Sequence, residues 1–426
     1  MDTTESVIRR MTRLAVEHDA VNLAQGFTDE PPVFDLVWAA VTALLGGDEE
    51  RMARLSASTL RELVPGADPT ALLDRPLKEV LAGLQGRPDR LNQYSFPFGL
   101  TELRDAIADY TERLYGWRPD PQLEVTVTLG ATEALASVLA GVCAAGDRVI
   151  VPQPFHEMYP SQAAILGLEP EYVTLVEQAS ASVWTLDRDE WAAAACGARA
   201  LILNTPHNPT GKVFSADDLA WVADLAARHD LIVITDEIYE HVVFDGHRHE
   251  SLAALPGMRA RTIVVNSISK TGNATGWRVG WVIASAEHTP SIRGFHDTMV
   301  IQAPTPLQRA AVALLGLDRG VYAGQRAVYA RKRDALVAAL RRAGFGVSPP
   351  EGAYYLFARY REVPAIGARS PMAAARHLIE EVGVASVPGD NFYATGTTGN
   401  QYLRFAFCRS LPTLEEAARR LATLGR

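Results

Sequence analysis

At 426 residues the chain exceeds one compact core, so two domains are expected. Its 48% hydrophobic and 21% charged residues are an ordinary globular mixture, and a net charge of −9 argues against a nucleic-acid surface. No apolar run is long enough to span a bilayer, and M-D-T-T-E-S-V-I-R-R at the start lacks a signal peptide's apolar core. Cys143, Cys196 and Cys408 are scattered through alanine-rich or apolar surroundings, which suits buried reduced thiols and neither a disulfide framework nor a metal site. A cytoplasmic enzyme is the expectation.

In chain order, V-N-L-A-Q-G-F-T-D-E-P-P at 21–32 is an extended segment broken by Gly26 and a proline pair. The stretch 46–91 holds two helical patterns, E-E-R-M-A-R-L-S-A-S-T-L-R-E-L-V and A-L-L-D-R-P-L-K-E-V-L-A-G-L, punctuated by Pro65, Pro76 and Pro88. It reads as peripheral decoration or as a lid over a pocket, since insertions in surface loops cost little. N-Q-Y-S-F-P-F-G follows with Tyr94, then a helix with Leu103, Ile107, Tyr110 and Leu114 on one face.

From about residue 124, strands alternate with helices, the pattern of a parallel sheet covered on both faces. The runs 124–129, 148–151, 200–204, 231–235, 262–265 and 279–284 read as strands. Gly130-Ala131-Thr132 opens an alanine-rich helix, whose N-terminal N–H groups suit a phosphate. P-Q-P-F-H-E-M-Y, with Phe155 and His156, follows the second strand, and T-P-H-N-P-T-G, with Asn208, follows the third. D-E-I-Y-E ends the fourth; a carboxylate such as Asp236 after so apolar a run is costly unless a positive group pairs with it.

The fifth strand leads into N-S-I-S-K-T-G-N-A-T-G-W-R-V-G-W, on which the reading turns. Residues just past such a strand face a cleft at the rim of the sheet. A lysine there, Lys270, forms a Schiff base with an aldehyde, and Arg278 with the nearby serines can bind a phosphate. The ligand carrying both groups is pyridoxal phosphate (PLP). Beyond it, helical segments span 304–342 and 372–382, with a strand-like run at 354–357. Arg404 lies in the alternating Q-Y-L-R-F-A-F, either as a snorkelling edge residue or as a carboxylate clamp.

Together these motifs resemble the class I/II aminotransferases, which are fold type I PLP enzymes. Within that family they are similar to the kynurenine, glutamine and methionine aminotransferase and cysteine-S-conjugate β-lyase-like branch. The resemblance runs from Asn22 to Arg404 with 46–91 as its gap, and Thr28 stands where that branch has proline. It implies an α/β fold, with a large domain built on a mostly parallel, seven-stranded-type sheet and a smaller α+β domain. The expected division is 1–45 and 304–426 in the small domain, 46–91 as a helical insertion, and 92–303 as the large PLP-binding domain.

The resemblance also implies roles. Lys270 carries the cofactor and shuttles the proton, Asp236 pairs with the pyridine nitrogen, and Tyr239 donates to the phenolic oxygen. Asn208 contacts that oxygen and the substrate carboxylate, and Phe155 stacks on the ring. Ala131, Thr132, Ser267 and Arg278 hold the phosphate, while Tyr94 reaches the phosphate of the partner in a homodimer. Gly26 and Arg404 complete the carboxylate site; His156 is assigned no role and no metal is called for. The implied reaction moves an amino group between an L-amino acid and a 2-keto acid, both small molecules, without nucleic acid or membrane. The alternative is a PLP-dependent C–S β-lyase, or γ-substitution, decarboxylative or oxidative deamination on the same scaffold. A PLP-binding regulator would need a DNA-binding module, and none is evident before residue 20.

Overall fold

The structure, a computed structural model, describes residues 6–45, 49–59, 62, 75, 76, 78–80, 93–394 and 398–425. The first helical pattern of the expected insertion forms the helix Glu49–Ala57. The second lies largely outside the described residues. The chain divides into two compact units, one of Met1–Glu30, Val138–Val265 and Asp318–Arg426, the other of Pro31–Ser137 and Asn266–Leu317.

The first unit contains a mostly parallel run of strands. Thr262–Ser267, Ile232–Asp236, Ala200–Asn204, Arg148–Gln153 and Glu169–Gln178 lie side by side in that order, all parallel, and Val183–Leu186 closes the edge antiparallel. The Ala200–Asn204 and Ile232–Asp236 strands are buried throughout, as their continuous apolar runs require in a sheet covered on both faces. Glu169–Gln178 was not legible as a strand, because Pro170 and three acidic residues mask its short alternation; only Val173 and Leu175 of it are buried. The helix Ala216–Arg228 begins with a complete capping box between Ser215 and Asp218, and buries Leu219, Val222, Leu225 and Ala226.

The same unit holds a smaller sheet in which Tyr402–Ala406 lies between Tyr355–Arg359 and Val387–Pro388, antiparallel to both. Val21–Asn22 pairs in parallel with Val384–Ala385, and the Ala406 N–H donates to the Leu23 carbonyl at 2.7 Å. These bonds draw the segment around Gly26 onto the C-terminal strand that carries Arg404. The expected helix at 372–382 is α-helical over Pro371–His377, widens to a π-helix over Leu378–Val382, and stops at Gly383 with φ 76°.

The second unit pairs Val125–Thr128 with Gly280–Ile283, antiparallel. The helix Thr305–Leu315 packs there on Phe34–Leu45 and Thr101–Tyr115. Buried Leu36, Leu103, Ile107, Tyr110, Val127, Trp281 and Leu314 make its core.

Candidate active site

The carboxyl ends of the parallel strands collect most of the first unit's candidates. Register sets Asn204 beside Asp236, and Asp236 beside Val265, two positions before Ser267 in sequence and five before Lys270. Asp236 is buried, and its Oδ2 accepts the Tyr159 hydroxyl at 2.8 Å. Its main-chain oxygen accepts from Asn204 Nδ2 at 2.9 Å. The side-chain oxygen of Asn204 in turn accepts the Asn208 N–H at 2.7 Å, stapling the T-P-H-N-P-T-G loop to the strand ends. Gly211 closes that loop at φ 75°, where a Cβ would come 2.1 Å from Pro350 Cβ. The adjacent acid, Glu237, points elsewhere and accepts from Ser251 at 2.9 Å, with His249 Nε2 at 3.0 Å.

Arg404 is fully buried between the rings of Tyr355 and Phe392, its guanidinium carbon 4.4 and 4.9 Å from their centroids. Its Nη1 donates to Asn208 Oδ1 at 3.0 Å and its Nη2 to the Ala24 carbonyl at 2.9 Å. Its Nε is buried without a hydrogen-bond partner among the described residues. Tyr354 donates to the Gly26 carbonyl at 2.9 Å, and a Cβ at Gly26 would fall 1.9 Å from the Tyr355 hydroxyl, so only glycine fits there. The Tyr239 hydroxyl donates to Tyr355 at 3.2 Å. Burial holds Tyr239 and Tyr159 well above the usual phenol range, helped by Tyr355 in the first case and by Asp236 in the second, so both remain donors. Phe155 is buried, its N–H donating to the Phe392 carbonyl at 2.8 Å.

In the second unit Lys270 is half-buried on a one-turn helix, Ile268–Thr271, whose N-cap Ser267 accepts the Ser269 N–H at 3.3 Å. Arg278 has a left-handed backbone, φ 54°, and donates to the Thr275 carbonyl at 2.8 Å. Its Nη2 lies so near the backbone of Gly130 that a Cβ there would come within 2.4 Å. Burial pulls Arg278 below the usual arginine value. Ala131 and Thr132 follow Gly130 at the start of the helix Ala131–Val142, Ala131 buried and Thr132 exposed. Tyr94 is 78% exposed, on a segment anchored by the Ser95 hydroxyl donating to Gln302 Oε1 at 2.9 Å.

Within the first unit the structure thus brings Gly26, Asn208, Asp236, Tyr239 and Arg404 into one bonded neighbourhood with Phe155 beside it through Phe392. Within the second it brings Arg278 to Leu129 and Gly130, just before Ala131. Sequence reasoning missed Tyr159, Asn204, Tyr354 and Tyr355. The Tyr159 signal was its place in H-E-M-Y, four residues beyond Phe155, where it opens the helix Met158–Ile165.

The chain matches the model of the family described as aminotransferase class I and II over residues 69–421. The solved N-succinyldiaminopimelate aminotransferase of Mycobacterium tuberculosis is 35% identical, covering 99% of this chain and 97% of that one, with a TM-score of 0.85. The chain belongs to the class I and II aminotransferases. The methionine aminotransferase of Escherichia coli is 33% identical over 98% of this chain and 96% of its own. Human kynurenine–oxoglutarate transaminase 1 is 31% identical over 95% and 92%. This aminotransferase has the fold type I architecture, with its mostly parallel central sheet. It moves an amino group between amino and keto acids, and it is PLP-dependent. Among its described helices none is long and apolar enough to cross a membrane.

Proposed function

We propose that Lys270 carries PLP in this aminotransferase, that Asp236 serves the ring nitrogen and that Arg404 receives the substrate carboxylate. The observation that carries the reading is Arg404. It is a buried guanidinium whose described partners are all neutral, with two of its five N–H groups engaged and Nε unused. A buried charge is costly without a counter-charge, so the site is built for an anionic ligand. The other residues fit the cofactor as well. Arg278 beside the glycine-opened start of a helix suits a phosphate, and the Asp236 carboxylate, oriented by Tyr159, suits a protonated ring nitrogen.

When bound, PLP supplies an aldehyde for the amino group and a cationic ring that accepts the electron pair released at Cα. The chain's own residues do the rest. Arg404 with Asn208 orients the α-carboxylate, and the Gly26 backbone lines the same site. Lys270, as a neutral amine, would take the Cα proton and hold it for return. Tyr239, kept protonated by burial, would turn its one hydroxyl hydrogen from Tyr355 to the phenolic oxygen, and Phe155 would back the ring. Thr132, Ala131, Ser267 and Arg278 hold the phosphate.

We also propose a cytoplasmic homodimer in which Tyr94 serves the partner's phosphate. The exposure of Tyr94 supports this, as does that of Phe96, Met299 and Ile301, large apolar side chains close to it along a segment tied by Ser95 and Gln302. The division into a PLP-binding part at 92–303, a small part from both termini and a lid at 46–91 is proposed on the family resemblance.

Lys270→Ala tests the central assignment. The purified variant is expected to lack both the absorbance of the lysine-bound cofactor and turnover with any amino acid. Retained turnover would sink the assignment.

A further inference from the structure

An acidic residue stands where the cofactor's phosphate needs positive potential. Glu133 lies in the first turn of the helix Ala131–Val142. Its Oε2 accepts the Leu129 N–H at 2.9 Å, and its Oε1 accepts the Ser137 hydroxyl. The first bond closes the turn from Leu129 to Thr132. It also sets a negative charge at the helix end whose dipole would favour a phosphate dianion. An uncompensated carboxylate there would repel the ligand.

The compensating group is His296, on the helix Thr289–Val300 and fully buried. Its Nδ1 lies 3.0 Å from Glu133 Oε1, and its Nε2 lies 3.1 Å from the Pro97 carbonyl oxygen. A carbonyl can only accept, so Nε2 carries a hydrogen. Glu133 already accepts from Leu129 and Ser137, as an ionised carboxylate does, so Nδ1 carries a hydrogen too. A ring that donates from both nitrogens is an imidazolium. Burial pushes the His296 pKa down, but the Glu133 carboxylate, the Pro97 carbonyl and Asp297 outweigh it, and the net direction is up. Charge and geometry agree.

We propose that His296 is a positioning residue for the cofactor phosphate: its imidazolium neutralises Glu133 and ties the Leu129–Thr132 turn to the Pro97 segment, so that the turn can hold a dianion. The proposal rests on the assignment of Ala131 and Thr132 to the phosphate. It makes His296 matter for the phosphate and not for the rest of the cofactor. That separates it from a side chain that only stabilises the fold.

The test compares PLP with pyridoxal, which lacks the phosphate. The full-length chain, freed of cofactor, is titrated with each, following the absorbance change on reaction with Lys270. His296→Asn is expected to weaken PLP binding about tenfold and pyridoxal binding hardly at all. The preference for PLP over pyridoxal falls accordingly. Adding Glu133→Gln removes the uncompensated charge, and the double variant recovers most of that preference. An unchanged preference, or equal weakening of both ligands, overturns the proposal; so does a double variant that recovers nothing. Should His296→Asn fail to fold, His296→Gln, which likewise places a neutral amide donor opposite Glu133, is read in the same way and overturned by the same results. Thr132→Ala probes the underlying assignment separately. If that variant keeps the full preference, the turn is not the phosphate site, whatever His296 does.

Discussion

Asp236 shows how much of a site depends on groups that never touch the reacting atoms. Its Oδ2 is held by the Tyr159 hydroxyl, and its main-chain oxygen by Asn204. A phenol kept protonated by burial fixes the rotation of the carboxylate without competing for its charge. Tyr159→Phe deletes one bond to a charged group, so kcat/KM should fall by about one to two orders of magnitude, the equivalent of ~1.5–3 kcal/mol. Steady-state kinetics read this directly. A variant with unchanged kinetics would mean that Asp236 is oriented without Tyr159.

His207, one position before Asn208, titrates against stability. It is buried with Nδ1 2.8 Å from the Thr210 hydroxyl, and burial, then the nearby Lys212 charge, push its pKa down to about 3. The folded protein keeps the imidazole neutral while the unfolded chain protonates it near its ordinary value of 6.5. Between those values the unfolded state binds more protons. Stability is therefore full above about pH 6.5 and is lost as the pH falls toward about 3, by a few kcal/mol at most. Urea denaturation at a series of pH values should show this slope, and His207→Asn should flatten its share.

At the scale of elements, Gly280 packs closely against the start of the helix Ala131–Val142, the turn proposed to hold the phosphate. A Cβ at 280 would come 2.7 Å from the Gly130 carbonyl carbon and 2.9 Å from both the Ala131 nitrogen and the Asn266 oxygen. All three are backbone atoms, and none can swing aside. Gly280→Ala should destabilise the protein by roughly 1–3 kcal/mol and loosen PLP, because the helix N-terminus must move. Thermal melting with and without added PLP measures both effects; a Tm unchanged in either condition would count against the packing described.

The loop from Asn204 to Gly211 makes the complementary point. Its proline and glycine content announces a fixed turn, but its aim is set by Asn204, a strand residue with nothing unusual in its sequence context. Similarly, the strand Glu169–Gln178 carries too few buried residues to stand out in sequence, and the pairing with Arg148–Gln153 gives it its place.

At the scale of the whole molecule, exposed Tyr94, Phe96, Met299 and Ile301 are expected to be covered by a second copy. Equilibrium sedimentation should give about twice the chain mass of 46.2 kDa. Paired substitution of Phe96 and Met299 by Asp should shift it toward monomer and lower PLP affinity together, since the proposal has Tyr94 serve the partner. A monomeric wild-type chain would remove that role for Tyr94.

By itself the sequence determined what is local or strongly patterned. The buried strands were legible from continuous β-branched runs. Asp236 stood out as a carboxylate that is costly at the end of so apolar a run, and Lys270 as an amine just past another, whereas Asn208 and Arg404 took their roles from the family resemblance. Tertiary structure decided which neutral groups surround them. Tyr159 meets Asp236 across 77 positions, Arg404 meets Ala24 across 380, and His296 meets Glu133 across 163. Hydrogen bonds between residues so distant in sequence leave no periodicity and no composition signal. They exist only because strand register and helix packing bring the donors and acceptors within about 3 Å, where a buried polar group must find its partner.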